Sequence, residues 1–311
     1  MSVRDVILII GVGRSGTSAL TRALSLSGCT LPEEIMGASD INLKGSWEPA
    51  DIWKLNHRFM LRHDTEYADP TMRLQETVFA EGEKEGYIRS VQEFLTRCPP
   101  GPALLIKQPD ITEVMEFWLE AAKREHFSVK VVIPIRNPRE VLASIGVVGS
   151  TMGETVSAEL VNAFWLKRNL LAERYSRGLP RVFLEYPNFL NDWESELARI
   201  SRSLSIDLKP DETAIADFLT QDLYRQRCSG PIIETFAYSW ITRVYAILSS
   251  AAQDGPIDTP TLDEIYFAYR ANERAFRIAW DEFRNQLRRV DKQQFLEGLE
   301  TVDVMKSGRD F

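Results

Sequence analysis

Three sets of residues in this chain have the types and spacing for handling a phosphate-like anion. The first lies in VILIIGVGRSGTSAL, residues 6–20. An apolar run from Val6 to Ile10 meets a glycine-rich turn, and a helix-like stretch follows. Backbone N–H groups at a helix start have no internal partner, and the helix dipole is positive there, so this layout attracts anions. Gly13 and Gly16 keep the backbone open, while Arg14, Ser15, Thr17 and Ser18 add side-chain donors. The plain alternative is a tight strand-to-helix turn capped by Ser15 or Thr17.

Two nucleotide templates fit the run, and both are incomplete. Gly11, Gly13 and Gly16 spell the G-x-G-x-x-G of dinucleotide sites, which requires a second strand ending in Asp or Glu about 20 residues on. That region reads GCTLPEEIMGASD, which is loop-like. Gly11 to Ser18 also spell a phosphate loop, but Thr17 stands where the nucleotide-triphosphate version has its lysine. No apolar strand ends in a plain Asp to hold a metal ion. The loop therefore holds an anion with Arg14 and without metal machinery.

The second set is VVIPIRNPREVLASI, residues 131–145. Arg136 follows a strand pattern directly, and a helix starting at Pro138 puts Ser144 about two turns along. A guanidinium fork suits phosphate oxygens. The plain alternative is an Arg136–Glu140 pair with Ser144 facing solvent. The third set is Lys107, at the end of the strand pattern PALLIK; its plain alternative is a surface lysine neutralised by Asp110. A proton-accepting carboxylate is available in Glu33, Glu34 or Glu48. Glu48 is preferred because it opens the helix after the loop, with Trp47 beside it; Glu34 is second. His57 and His63 are further candidates, though single histidines on helices usually serve structure.

These residues need a scaffold that brings strand ends together. Strand patterns at 6–10, 102–110, 129–138 and 181–186 alternate with helical patterns at 18–27, 49–62, 83–96, 111–125, 155–177 and 193–204, as in βαβ units on a parallel sheet. In the 155–177 segment Val156, Leu160, Phe164, Leu171 and Tyr175 mark one apolar stripe. Residues 28–47 read as a loop, and the chain beyond about 230 reads as helical. Ligands of such sheets bind at the carboxyl ends of the strands, which is where all three cationic groups fall.

The chain has 311 residues, 44% of them hydrophobic and 26% charged, with a net charge of −8. That balance suits a soluble globular protein with a sizeable core and argues against nucleic-acid binding. Three cysteines without short spacing point to neither a disulfide framework nor a zinc site, and so to a reducing compartment. No stretch approaches the roughly 20 apolar residues of a membrane span. The expectation is a cytoplasmic protein of one domain over 1–311, with an α/β core at 1–230. Its helical extension, 231–311, is available as a lid, an acceptor cap or a homo-oligomer contact.

The combination resembles the sulfotransferases that use 3′-phosphoadenylyl sulfate (PAPS). GVGRSGTSAL is similar to their 5′-phosphosulfate loop, and RNPREVLAS to the R-x-P-x-x-x-x-x-S segment that binds the 3′-phosphate. IKQPD is similar to the K-x-P segment of the carbohydrate enzymes, departing from the usual K-D-P-R. NLKGSWEPADIWKLN resembles an N-x-x-G-x-W-E stretch of bacterial members, and VFLEYPNFLNDWESELARI their following strand and helix. A fainter echo is FLTQDLYRQR. The resemblance spans about residues 5–204. It implies a three-layer α/β/α fold of the P-loop NTPase-like sulfotransferase type, with extra C-terminal helices. It also implies PAPS as the sulfuryl donor, no metal, and a carbohydrate, glycolipid or other small hydroxyl-bearing acceptor. Gly13, Arg14, Ser15, Gly16, Thr17, Ser18, Arg136 and Ser144 would bind the donor. Lys107, Arg14 and a carboxylate, Glu48 or Glu34, would carry the chemistry. The alternatives from other classes are a kinase with a degenerate phosphate loop, a non-catalytic PAPS-binding protein and, more distantly, an NAD(P)-linked enzyme.

Overall fold

The computed structural model describes residues 3–39, 42, 44–151, 155–220, 226–228 and 230–282. Four strands form one parallel sheet: β1 (Arg4–Ile9), β2 (Ala103–Lys107), β3 (Phe127–Ile135) and β4 (Arg181–Glu185), in the order β2-β1-β3-β4. The strands are apolar almost throughout, as strands covered on both faces must be. Ile7, Ile9, Ala103, Leu105, Val132, Val182 and Leu184 face one layer of helices. That layer contains α1 (Thr17–Leu26), α8 (Tyr186–Asn191), α9 (Trp193–Leu204) and α10 (Glu212–Phe218). In α1 the buried Leu20, Ala23 and Leu24 recur at helical spacing, so one stripe faces the sheet.

The alternate strand residues, Val6, Leu8, Leu104, Ile106, Val131 and Ile133, are buried on the opposite face. There α5 (Met115–Arg124) packs on β3, and α4 (Glu81–Arg97) packs on α5. Between β1 and β2 the chain also forms α2 (Ala50–Arg62) and the single turn α3 (Arg73–Glu76). After β3 come α6 (Pro138–Thr151) and α7 (Ala158–Tyr175), and α11 (Trp240–Ala251) packs on α7 and β4. The result is an α/β/α sandwich, with the parallel sheet expected from the strand–helix alternation and the three layers expected from the resemblance. The chain divides into two compact units, Met1–Asp263 and Glu264–Phe311; in the second, residues 264–282 are helical.

Two elements depart from the expectation, each for a physical reason. The segment 109–114 is a 3₁₀ turn, Pro109–Val114, rather than the tail of β2 or the first turn of an α-helix. Pro109 cannot donate to a sheet ladder, and the Gln108 side chain caps the turn by accepting from the Asp110 amide at 2.6 Å. In α7 the expected single stripe is replaced by burial almost all round. Leu160 is 36% exposed, whereas Lys167, Arg168, Asn169 and Glu173 are buried. Charge at these positions is tolerable because each is paired: Lys167 with Glu113 at 3.0 Å, and Arg168 with Asp110 at 2.7 Å and Glu113 at 3.0 Å.

Register sets the height of the strand ends. Ile9 lies level with Lys107 on one side and Val132 on the other, so β3 runs three residues further. At roughly 3.3 Å per residue, Arg136 stands more than about 10 Å beyond the end of β1, level with the loop that climbs from it.

Candidate active site

The loop after β1 is built on positive backbone angles. Gly11 has φ +105° and Gly16 φ +85°, and Arg14 adopts φ +66° although it is not glycine. The Gly11 amide donates to Thr112 Oγ1 at 2.9 Å, which ties the loop to the 3₁₀ turn after β2. Gly13 and Gly16 are under steric demand. A Cβ on Gly13 would lie 1.9 Å from Tyr67 Oη, and one on Gly16 would lie 2.0 Å from Tyr186 Cδ2.

Thr17 is buried and begins α1, whose N-terminus has no side-chain cap. The capping by Ser15 or Thr17 that the plain alternative required is therefore absent, and the first-turn amides remain available to an anion. Ser15 is 1% exposed, and its Oγ has no hydrogen-bond partner among the described residues. A buried hydroxyl left unpaired at an uncapped helix start suits an oxyanion as its acceptor. The loop residues thus fit a phosphate or sulfate group.

Arg136 and Ser144 converge on this loop. Arg136 Nη1 donates to the Arg14 carbonyl at 2.9 Å, Nη2 to the Gln226 carbonyl at 3.3 Å, and Nε to Glu140 Oε2 at 3.0 Å. Its guanidinium lies 5.1 Å from the Tyr186 ring centroid. The Glu140 pair is the plain alternative read from the sequence. Ser144, however, is buried and accepts from Arg14 Nε at 3.1 Å. Arg14, Arg136 and Ser144 thus form one cluster, from three elements, on the rim of the loop.

Lys107 is also more than a surface lysine. It is 4% exposed and forms an ion pair with Glu48 Oε1, while Asp110 pairs with Arg168. Glu48 is delivered by a hairpin-like segment. The Met36 amide donates to the Glu48 carbonyl at 2.7 Å, the Trp47 amide to the Met36 carbonyl at 3.0 Å, and Ile35 bridges Pro49. This segment lies on the start of α1. Ser18 Oγ donates to the Ser46 carbonyl at 3.3 Å and accepts from Asn42 at 3.1 Å, and Arg22 stacks over Trp47. Ser18 is thereby engaged with the hairpin rather than turned to the loop interior.

Glu34 stands apart. It is exposed and lines a shallow cavity of about 120 Å³ with Asp51, Phe94 and Arg97; no contact joins it to Lys107, Arg14 or Arg136 among the described residues. His57 stacks on Trp53, and His63 bonds Glu83 at 3.0 Å, so each histidine has its own partner on α2 or α4.

Three residues at the site carried no recognised signal in the sequence. Tyr186 follows β4 and could have been found from its place at a strand's carboxyl end. Tyr67 lies in an irregular segment and Thr112 in the short 3₁₀ turn after β2, where no periodicity points inward.

No family model matches the chain, and no curated protein matches it. Among solved structures it is similar to the sulfotransferase domain from the curacin biosynthetic pathway, at 13% identity and a TM-score of 0.41 over 83% of this chain and 100% of that one. It is similar to sulfotransferase STF9 from Mycobacterium avium, at 13% identity and a TM-score of 0.46 over 88% of this chain and 77% of that one. It is also similar to mouse sulfotransferase SULT7A1 complexed with PAP, at 13% identity and a TM-score of 0.41 over 87% and 90%. No helix among the described residues is long and apolar enough to cross a membrane.

Proposed function

We propose that this chain is a PAPS-dependent sulfotransferase that moves a sulfuryl group to a hydroxyl of a carbohydrate, glycolipid or other small acceptor. One observation carries the reading. An uncapped loop-to-helix anion site, with Arg14, Arg136 and Ser144 gathered on its rim, lies beside a strand end bearing the Lys107–Glu48 ion pair. The loop amides, Ser15 and Thr17 would hold the 5′-phosphosulfate. Arg136 and Ser144 would take the 3′-phosphate, whose charge matches a planar guanidinium and which separates PAPS from ATP.

Glu48, paired with Lys107, accepts the acceptor's hydroxyl proton as the oxygen attacks sulfur. Lys107 neutralises the charge that develops on the bridging oxygen as the S–O bond breaks, and Arg14 holds the non-bridging oxygens. The products are the sulfated acceptor, 3′,5′-bisphosphoadenosine (PAP) and the proton on Glu48. Metal is not needed for these roles, since a sulfuryl group carries less charge than a phosphoryl group. On this reading the protein works in the cytoplasm.

Adding PAP should raise the unfolding temperature by mass action, whereas ATP with Mg²⁺ should not. A shift with ATP–Mg²⁺ and none with PAP would replace this reading by a kinase. Incubation with PAPS and a cell extract should add the mass of one sulfuryl group to an acceptor. Tight PAP binding without transfer to any of a broad acceptor panel would make the protein a non-catalytic binder.

A further inference from the structure

Tyr67 lies in the segment between α2 and α3 and is braced from α7. Its carbonyl accepts from Arg168 Nη2 at 3.0 Å, the Arg168 guanidinium lies 5.3 Å from its ring centroid, and the Phe164 ring packs at 5.4 Å. Arg168 is itself immobilised, fully buried and bonded to the Pro109 carbonyl at 2.6 Å as well as to Asp110 and Glu113. The phenol is thus held at a fixed angle, and that angle aims it at the anion loop. Its Oη sits so close over Gly13 that an added Cβ would be 1.9 Å away, with Cζ at 3.3 Å. Glycine at position 13 and tyrosine at position 67 are therefore matched to one another.

The hydroxyl has no hydrogen-bond partner among the described residues. The charges that reach it are Arg168, Asp110, Glu48 and Arg14, so it lies within range of both halves of the candidate site, the loop arginine and the Glu48 carboxylate. Although 41% of the residue's surface is open to solvent, the hydroxyl end is the one pressed on Gly13. Desolvation there, together with Asp110 and Glu48, outweighs Arg168 and Arg14 and holds the phenol above its ordinary pKa. It stays protonated at neutral pH, which makes it a donor and leaves proton acceptance to Glu48.

We infer that Tyr67 is a ligand-contacting residue of this site, whose hydroxyl donates to a non-bridging oxygen of the transferred sulfuryl group, between the Gly13 loop and the Lys107–Glu48 pair. The inference rests on the donor reading above and extends it to a residue that no motif marks. It separates two ligands that differ by that group alone, because PAPS carries it and PAP does not.

The test is the affinity of wild type and Tyr67→Phe for PAPS and for PAP by titration calorimetry. The variant keeps the ring between Phe164 and Arg168, and an unchanged unfolding temperature certifies the fold. Loss of one hydrogen bond to a charged group should weaken PAPS binding about tenfold to a hundredfold and leave PAP within about twofold. Equal weakening of both ligands, or of neither, overturns the assignment. Wild type that binds neither ligand overturns the donor reading, and the inference falls with it.

Discussion

On the proposed mechanism Glu48→Gln does two opposed things, because Lys107 would serve two partners in turn. In the free protein Lys107 is 4% exposed and neutralised by Glu48, whose side chain is 15% exposed. The amide keeps the shape and removes the charge, which leaves a buried ammonium without its counter-ion. Removing one partner of a buried ion pair costs about 3–5 kcal/mol, so the free variant should unfold at lower temperature. At this chain length, with about 2.1 cal/mol/K of unfolding entropy per residue, 3 kcal/mol corresponds to about 5 °C. An anion in the loop would then meet a lysine it no longer has to win from a carboxylate. With an effective dielectric near 20, a charge pair at about 4 Å is worth about 4 kcal/mol before desolvation; a net gain of 1.5–3 kcal/mol tightens PAPS binding about tenfold to a hundredfold. Transfer should nevertheless stop, since the proposed mechanism makes Glu48 the proton acceptor. Differential scanning calorimetry with and without PAPS reads both effects: a lower transition for the free variant and a larger ligand-induced rise than in wild type. Unchanged or weaker PAPS binding in Glu48→Gln would refute the competition for Lys107 and return Glu48 to a structural role.

Arg136→Ala should weaken PAP binding by about tenfold or more, since the 3′-phosphate loses its charge-assisted fork; near-wild-type affinity in a competition assay would remove Arg136 from the donor site. Gly16→Ala should cost about 1–2 kcal/mol from φ +85° alone, and more from the Tyr186 ring. Adding Tyr186→Ala should restore part of the loss, and strictly additive urea midpoints would contradict the contact. Glu113→Gln should destabilise by about 3–5 kcal/mol, because it leaves Lys167 buried without a counter-charge and Arg168 with Asp110 alone. Burial alone would push the Glu113 carboxyl up, but the charges of Lys167 and Arg168 bring it below its ordinary range. Its contribution is therefore complete above the ordinary Glu pKa and lost as pH falls through the depressed one. The wild type should lose this contribution on acidification, with the variant's stability flatter there; parallel acid limbs would show that Glu113 does not titrate in this way.

The elements at the site were legible in different degrees. Val6–Ile10 before a glycine turn, and the run from Val129 that leads into Arg136 and Pro138, are local patterns: short strand-like runs closed by residues that break them. They specify which residues sit at strand ends, and parallel strands bring those ends to one rim. Charge placement within that rim was less legible. Asp110 is three residues from Lys107 and reads as its partner, yet the 3₁₀ turn capped by Gln108 sends it to Arg168. The α7 stripe misread has the same origin, because a polar residue on a helix looks solvent-facing until its counter-charge is known.

What the sequence by itself determined is a parallel α/β chain with an anion loop after its first strand and cationic residues at two further strand ends. These follow from short-range rules of periodicity, glycine geometry and strand-end placement. Tertiary structure alone decided that Glu48 meets Lys107 across 59 residues, that Ser144 faces Arg14 rather than water, and that Tyr67 covers Gly13. Such pairings depend on strand register and on a hairpin folded back over α1, and no local pattern of residues encodes the distance between segments so far apart in the chain.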